Sequence, residues 1–253
     1  MAKRMNSRRI HAMDELRGLL VIGMIVHHAL YTVGYLFGVP WAIAGFDWIS
    51  QYLHPLGAAL FVLLCGISCH LSRSNRKRGL RLAAFAVAMS VVLYFAMPSA
   101  MIWFGILHCL AACILLYALS ARALNKVPAL VVLVVSAALA VLFWPLQANH
   151  GYIGIDGLWT VAIPETLRET RWLMFTGLGA GFGADWFPLL PWLFVFLTGT
   201  ALGRWAAQGK FPKGLYKDRF AGLSWVGRHA VWFYLAHQPI IYGVCWALFK
   251  WIL

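Results

Sequence analysis

DELRGLLVIGMIVHHALY, Asp14–Tyr31, begins with two acids and an arginine, runs into apolar side chains, and sets two adjacent histidines deep inside that run. An apolar stretch close to the ~20 residues that cross a bilayer as a helix is read as a membrane span. Imidazoles at that depth are costly in lipid, so ionisable side chains there are read first as functional. The whole chain agrees with the membrane reading. Of its 253 residues 62% are hydrophobic and 11% charged, with a mean hydropathy of +0.75, whereas soluble domains carry about a quarter charged residues.

Working outward, apolar runs recur at about 17–38, 52–72, 80–97, 101–120, 128–146, 187–206 and 229–249. The expected fold is an all-α polytopic membrane bundle of about seven helices forming a single domain over residues 1–253. Two connections are long. One is an external loop at about 147–186, in which Gly177, Gly179, Gly181 and Gly183 imply a flexible loop or lid, and Trp159 and Trp172 imply contact with the membrane interface. The other is a basic linker at about 207–226.

The net charge of +13 follows this layout. Lys3, Arg4, Arg8 and Arg9 precede the first span, and Arg73, Arg76, Lys77, Arg78 and Arg81 follow the second. Arg122 and Lys126 follow the fourth, and Arg204, Lys210, Lys213, Lys217, Arg219 and Arg228 follow the sixth. With seven spans these loops share one side, and Asp47, Asp156, Glu165, Glu169 and Asp185 lie on the other. Positive charge collects on the cytoplasmic side of membrane proteins, which places the amino terminus in the cytoplasm. The basic balance therefore reports topology, not a nucleic-acid partner. The run is long for a signal peptide and lacks a small-residue cleavage site, so it is expected to remain as the first helix.

Within the first helix Arg17 and His28 are eleven residues apart, which is just over three turns. Their side chains differ by about 20° around the axis and lie about 16 Å apart along it. They share a stripe with Asp14, three residues before Arg17, while His27 is rotated by about 100°. A guanidinium at one end and an imidazole at the other suit a long anionic ligand. His54, before Pro55, is expected at the mouth of the second span. His108 and His237 fall inside the fourth and seventh spans, where each either lines a shared cavity or bridges helices. Asp185, ahead of Pro188 and Pro191, either faces an incoming substrate or starts the sixth helix.

Several chemistries lack their signatures. No histidine pair has H-x-x-x-H or H-E-x-x-H spacing, so no metal site is expected. TGLGAGFGAD (176–185) fits G-x-G-x-x-G in no register. Cys65, Cys69, Cys109, Cys113 and Cys245 all fall inside expected spans and read as small apolar packing residues. There is no G-x-S-x-G, P-loop or C-x-x-C.

DELRG followed by Arg17-x10-His28 resembles the first helix of the transmembrane acyltransferase group. FVLLCGIS (61–68), FGILH (104–108), DWFPLLPWLFVFLTGTALGR (185–204) and GRHAVWFYLAHQPI (227–240) look closer to bacterial members of the heparan-alpha-glucosaminide N-acetyltransferase-like family. That resemblance implies a multi-pass enzyme of a bacterial cell membrane. It would take acetyl-CoA or another acyl-CoA from the cytoplasm and acylate a glycan amine or hydroxyl outside. Arg17 and His28 carry over as the motif pair. On this reading Arg17, Arg78 and Arg81 meet the CoA phosphates, because guanidinium forks suit phosphate. His28 acts as general base or takes the acyl group covalently. His54 belongs to the catalytic set, and Asp185, His108, His237 and His27 belong to the acceptor side. A histidine-lined transporter would instead show inverted repeats, which the chain lacks. A non-catalytic scaffold would use the same polar residues only to join helices.

Overall fold

The computed structural model describes residues 9–98, 101–182 and 185–250. Lys3, Arg4 and Arg8 of the basic amino-terminal set, and Gly183 of the glycine-rich stretch, lie outside them. Among the described residues the secondary structure is helical apart from one hairpin. In order the chain forms α1 (His11–Tyr31), which continues through a π-helical turn (Thr32–Leu36), then α2 (Pro40–Tyr52), α3 (His54–Ile67), α4 (Asn75–Ala96), α5 (Ile106–Leu124) and α6 (Ala129–Leu142). β1 (Tyr152–Ile155), β2 (Trp159–Ala162), α7 (Glu165–Arg168), α8 (Leu189–Ala207), α9 (Ala221–Arg228) and α10 (Ala230–Lys250) complete it.

Each of the seven expected spans falls on a helix, but the helices are not equal. Four stretches among the described residues are long and apolar enough to cross a membrane: His11–Leu36, Asn75–Ala96, Ile106–Leu124 and Leu189–Ala207. A fifth results if α2 and α3 are taken as one span bent by 52°. α6, with 14 residues, falls short of the ~20 that a bilayer needs. α10 has 21 residues, but His237, Gln238 and Pro239 near its middle lower its hydropathy. The protein is thus a polytopic helical membrane protein.

The bend between α2 and α3 has a local cause. Pro55 has no amide hydrogen to return to the Gln51 carbonyl, so a helix begun at Pro40 cannot run on unbroken. It breaks at Leu53, and His54 becomes the first residue of α3.

By contact the chain divides into two compact units. One holds the described residues up to Phe61 together with those from Phe211 onward; the other holds Val62–Lys210. In the first unit α1 packs on α9 with almost no side chain between them. A Cβ on Gly18 would fall on the carbonyl oxygen of Leu223, and one on Gly227 on that of Asp14. Small residues let helices in lipid approach to backbone contact, where dispersion and weak polar interactions replace the hydrophobic effect. Farther along, a Cβ on Gly34 would stand 2.8 Å from the Ile43 amide nitrogen, which brings the π-helical turn against α2.

The second unit repeats the device between α3 and α8. Gly66 faces the Phe196 carbonyl, Gly199 faces that of Leu63, and Gly203 faces that of Ile67. Cys109, Cys113, Ile114, Trp192 and Phe196 form the adjoining core, so these two cysteines lie in apolar packing. Ser136 of α6 meets Thr198 of α8 at 2.9 Å.

The segment expected as a flexible loop is folded. β1 and β2 pair antiparallel, with Tyr152 opposite Ala162 and Ile155 opposite Trp159. They are joined by Asp156-Gly157-Leu158, with Gly157 at φ +77°, as a three-residue hairpin loop requires. Neighbouring glycines stand at strained or close positions. Gly177 has φ +93°, and a Cβ on Gly179 would lie 2.7 Å from the Met174 amide nitrogen.

The α1–α9 contact predicts a pair of outcomes. Gly18→Ala lowers stability in detergent by about 1–3 kcal/mol, the usual cost of forcing volume into a packed contact. Gly23→Ala, where a Cβ meets nothing within 4 Å, leaves stability unchanged or slightly raised. Thermal midpoints of the two variants check this, and equal midpoints would contradict the contact.

Candidate functional site

Three buried polar side chains of the first unit, His27, Thr32 and His237, gather near the end of α1. Because consecutive helical residues diverge by about 100°, His27 and His28 meet different neighbours. His27 points toward α2 and α3. Its Nε2 lies 2.8 Å from Ser50 Oγ, and its ring stacks on Phe46 at 4.5 Å and on His54 at 4.9 Å. His28 points toward α10, where its ring meets the edge of His237 at 4.9 Å. The two neighbours touch each other at 5.6 Å. The result is a continuous file of imidazoles, His54–His27–His28–His237.

The sequence set His27 apart from the Arg17–His28 stripe, and in the structure its ring contacts both His28 and His54. The bend before α3 turns His54 back onto His27, so the residue pointing elsewhere joins the same file. His27 and His237 are 8% and 9% exposed, so both lie in the interior.

α10 adds two further groups. His237 Nδ1 lies 2.6 Å from the Tyr234 carbonyl oxygen. The Gln238 amide donates through Nε2 to Thr32 Oγ1 at 3.1 Å, and Thr32 is fully buried in the π-helical turn. Such turns often mark functional positions in helices. Ser50, Thr32, Gln238 and the Tyr234 carbonyl were not singled out in the sequence. Gln238 carried a readable signal, as an uncharged polar residue beside His237 in an apolar helix. The partners of Ser50 and Thr32 come from other helices and have no local signature.

Three atoms in this region are buried without a hydrogen-bond partner: His27 Nδ1, His237 Nε2 and Gln238 Oε1. Buried polar atoms are nearly always satisfied, so the cluster holds unused capacity for a ligand that brings N–H or O–H groups. Among the described residues no group of three or more His, Cys, Asp or Glu has an arrangement that could hold a metal ion.

At the other end of α1 every polar residue of DELRG has a structural partner. Asp14 is buried and takes Arg9 Nε at 2.7 Å and Arg17 Nη1 at 2.9 Å. Glu15 accepts the backbone amides of Arg219 and Phe220 at 2.6 and 3.0 Å, ahead of α9, where a carboxylate suits the helix start. Gly18 makes the close contact with α9. Arg17 is therefore held by Asp14 at the entrance of the stripe that leads to His28.

The remaining expected site residues belong to the second unit. Arg78 reaches the Cys65 carbonyl at 3.1 Å and the Cys65 and Cys69 sulfurs at 2.8 and 3.6 Å. Arg81 is exposed on α4. His108 accepts the Gly105 amide at 3.4 Å and lies 3.3 Å from Ser90 Oγ. Asp185 Oδ2 accepts the Ile106 amide at 3.4 Å. Both thus satisfy amides that the start of α5 leaves without helical partners. Asp185 is a helix-start acid, as one sequence reading held, but for α5 instead of its own helix.

These features define a polytopic membrane protein with a file of buried imidazoles. The family model described as heparan-alpha-glucosaminide N-acetyltransferase, catalytic, matches residues 9–239, from just before α1 to just past His237. The chain belongs to that family. No curated protein and no solved structure matches it.

The His27–Ser50 hydrogen bond gives a quantitative expectation. In a double-mutant cycle of His27→Ala and Ser50→Ala, the coupling energy in detergent unfolding is about 0.5–1.5 kcal/mol, the usual net worth of such a bond. A coupling of zero would mean that the two side chains do not meet.

Proposed function

We propose that the protein is an integral-membrane acetyltransferase that moves an acetyl group from acetyl-CoA, or a longer acyl group from its homologue, to a glycan amine or hydroxyl. Family membership supports the reaction class. The observation that carries the reading in this chain is the imidazole file with its unsatisfied atoms, two of whose rings stand on the helix that also bears Arg17.

Arg17 takes the donor's phosphates at one end of α1, oriented by its ion pair with Asp14. A guanidinium binds phosphate in a planar two-pronged geometry, and Arg78 and Arg81 are the further candidates for that role. The Arg17–His28 stripe then guides the thin arm of the donor toward the imidazoles, about 16 Å along the axis. Neutral imidazole offers one donor and one acceptor. The file can therefore hold a carbonyl oxygen and take a proton within one site, and proton acceptance of this kind typically contributes 10²–10⁴-fold. His54, at the far end of the file, receives the acceptor. We leave His108 and Asp185 to the start of α5.

If the seven expected helices all cross the bilayer, the basic loops support a donor in the cytoplasm and an acceptor on the outer face of a bacterial cell membrane. The same asymmetry argues for a lipid bilayer, and not a nucleic acid, as the protein's surroundings.

Two measurements test the proposal. Acetyl-CoA added to the purified protein in detergent raises its thermal midpoint, because a ligand that binds only the native state stabilises it. In addition, His28→Ala lowers acetyl transfer to an amino-sugar acceptor by roughly 10²-fold or more. No thermal shift with any acyl-CoA, or full transfer by His28→Ala, would overturn the reading.

A further inference from the structure

The proposed transfer needs one group to accept the acceptor's proton, and the sequence reading gave that role to His28. Resting on the functional reading above, we propose that His237 is this base. Tyr234 O can only accept a hydrogen bond, and it lies 2.6 Å from His237 Nδ1, so Nδ1 carries the proton. In a neutral imidazole the other nitrogen then holds a bare lone pair. That nitrogen, Nε2, is buried and has no partner, on a side chain that is 9% exposed.

Among the described residues of its unit no carboxylate pairs with the ring, which favours the neutral form. The four carboxylates of its unit are committed elsewhere: Asp14 to Arg9 and Arg17, Glu15 to two backbone amides, Asp47 to Tyr35 at 2.7 Å, and Asp218 to His11 and Ser224. An imidazolium here would bury an unpaired charge and an unsatisfied N–H together. His27 and His28 lack such a carbonyl. His27 Nδ1 is also buried and unpartnered, but its Nε2 meets the Ser50 hydroxyl, which can donate or accept and so does not set the tautomer. His28 packs against His237 at 4.9 Å on the donor stripe.

The reaction then closes. The acceptor's nitrogen or oxygen attacks the thioester carbonyl carbon, and its proton passes to His237 Nε2 as the new bond forms. Collapse of the tetrahedral adduct breaks the carbon–sulfur bond. The leaving thiolate takes the proton from Nε2, which returns His237 to its starting tautomer. The products are the acetylated acceptor and CoA thiol, with no other reactant consumed.

Two experiments on the full chain in detergent test this. Nitrogen-15 NMR of histidine-labelled wild-type protein, with His237→Gln used only to assign the signal, reports the tautomer without perturbing the site. The expected result is a protonated Nδ1 and a bare Nε2, and the opposite tautomer would overturn the proposal. Steady-state kinetics with acetyl-CoA and glucosamine form the second arm. His237→Gln lowers kcat by about 10²-fold or more while the KM for acetyl-CoA stays within about twofold, and added imidazole restores part of the rate to His237→Ala. A His237→Gln protein that keeps kcat within about threefold of wild type would overturn the base assignment while leaving the acetyltransferase reading intact. A wild-type protein that transfers no acetyl group to any acceptor would overturn both.

Discussion

Four imidazoles stand together in a helical unit whose four carboxylates, Asp14, Glu15, Asp47 and Asp218, each have another partner, and the rest of the site follows from that constraint. A histidine in an apolar interior can be charged only beside a compensating anion, since a buried unpaired charge is far costlier than a buried neutral group. Asp14 and Glu15 are fixed near the start of α1, Asp218 lies just before α9, and Asp47 pairs with a tyrosine. The imidazoles are left to satisfy one another through ring contacts and to use neutral partners: a serine hydroxyl and a backbone carbonyl. Neutral imidazole suits acyl transfer, because one ring can both accept and return a proton.

The two ends of α1 divide the labour. Its first turns are built to be fixed, with Gly18 in backbone contact with α9, Glu15 on the amides that precede α9, and Asp14 between two arginines. Its last turns are built around unsatisfied polar atoms. Rigid anchoring at one end lets the other hold groups that are poorly satisfied in the resting protein, since local strain persists only where the surroundings over-determine it.

How much of this was readable in the sequence depends on the range of the signal. The span of α1 was legible because apolar length is a local property, and so were the family resemblance and the four histidines, taken one by one. Their file was not legible. It depends on Pro55 breaking a helix that began at Pro40, and residues 40–52 did not read as a separate helix because a 13-residue apolar segment gives too weak a signal alone. His27 was ranked below His28 from angular position on one helix, which carries no information about what another helix brings to meet it. DELRG read as a ligand gate, yet Asp14, Glu15 and Gly18 each have a packing or capping partner, two of them more than 200 residues away along the chain. The glycines of the long connection suggested motion, and the close approaches at Gly177, Gly179 and Gly181 were not legible because the groups they meet are brought there by the fold.

The central claim is that the donor's acyl carbon comes to rest among the imidazoles at the end of α1. Solid-state NMR on histidine nitrogen-15 protein, bound to a non-hydrolysable acetyl-CoA analogue labelled with carbon-13 at the carbonyl, measures this directly. The account predicts dipolar contact between that carbon and imidazole nitrogens, lost in His28→Ala protein that still binds the analogue. Bound analogue with no histidine contact in the wild-type protein would contradict it.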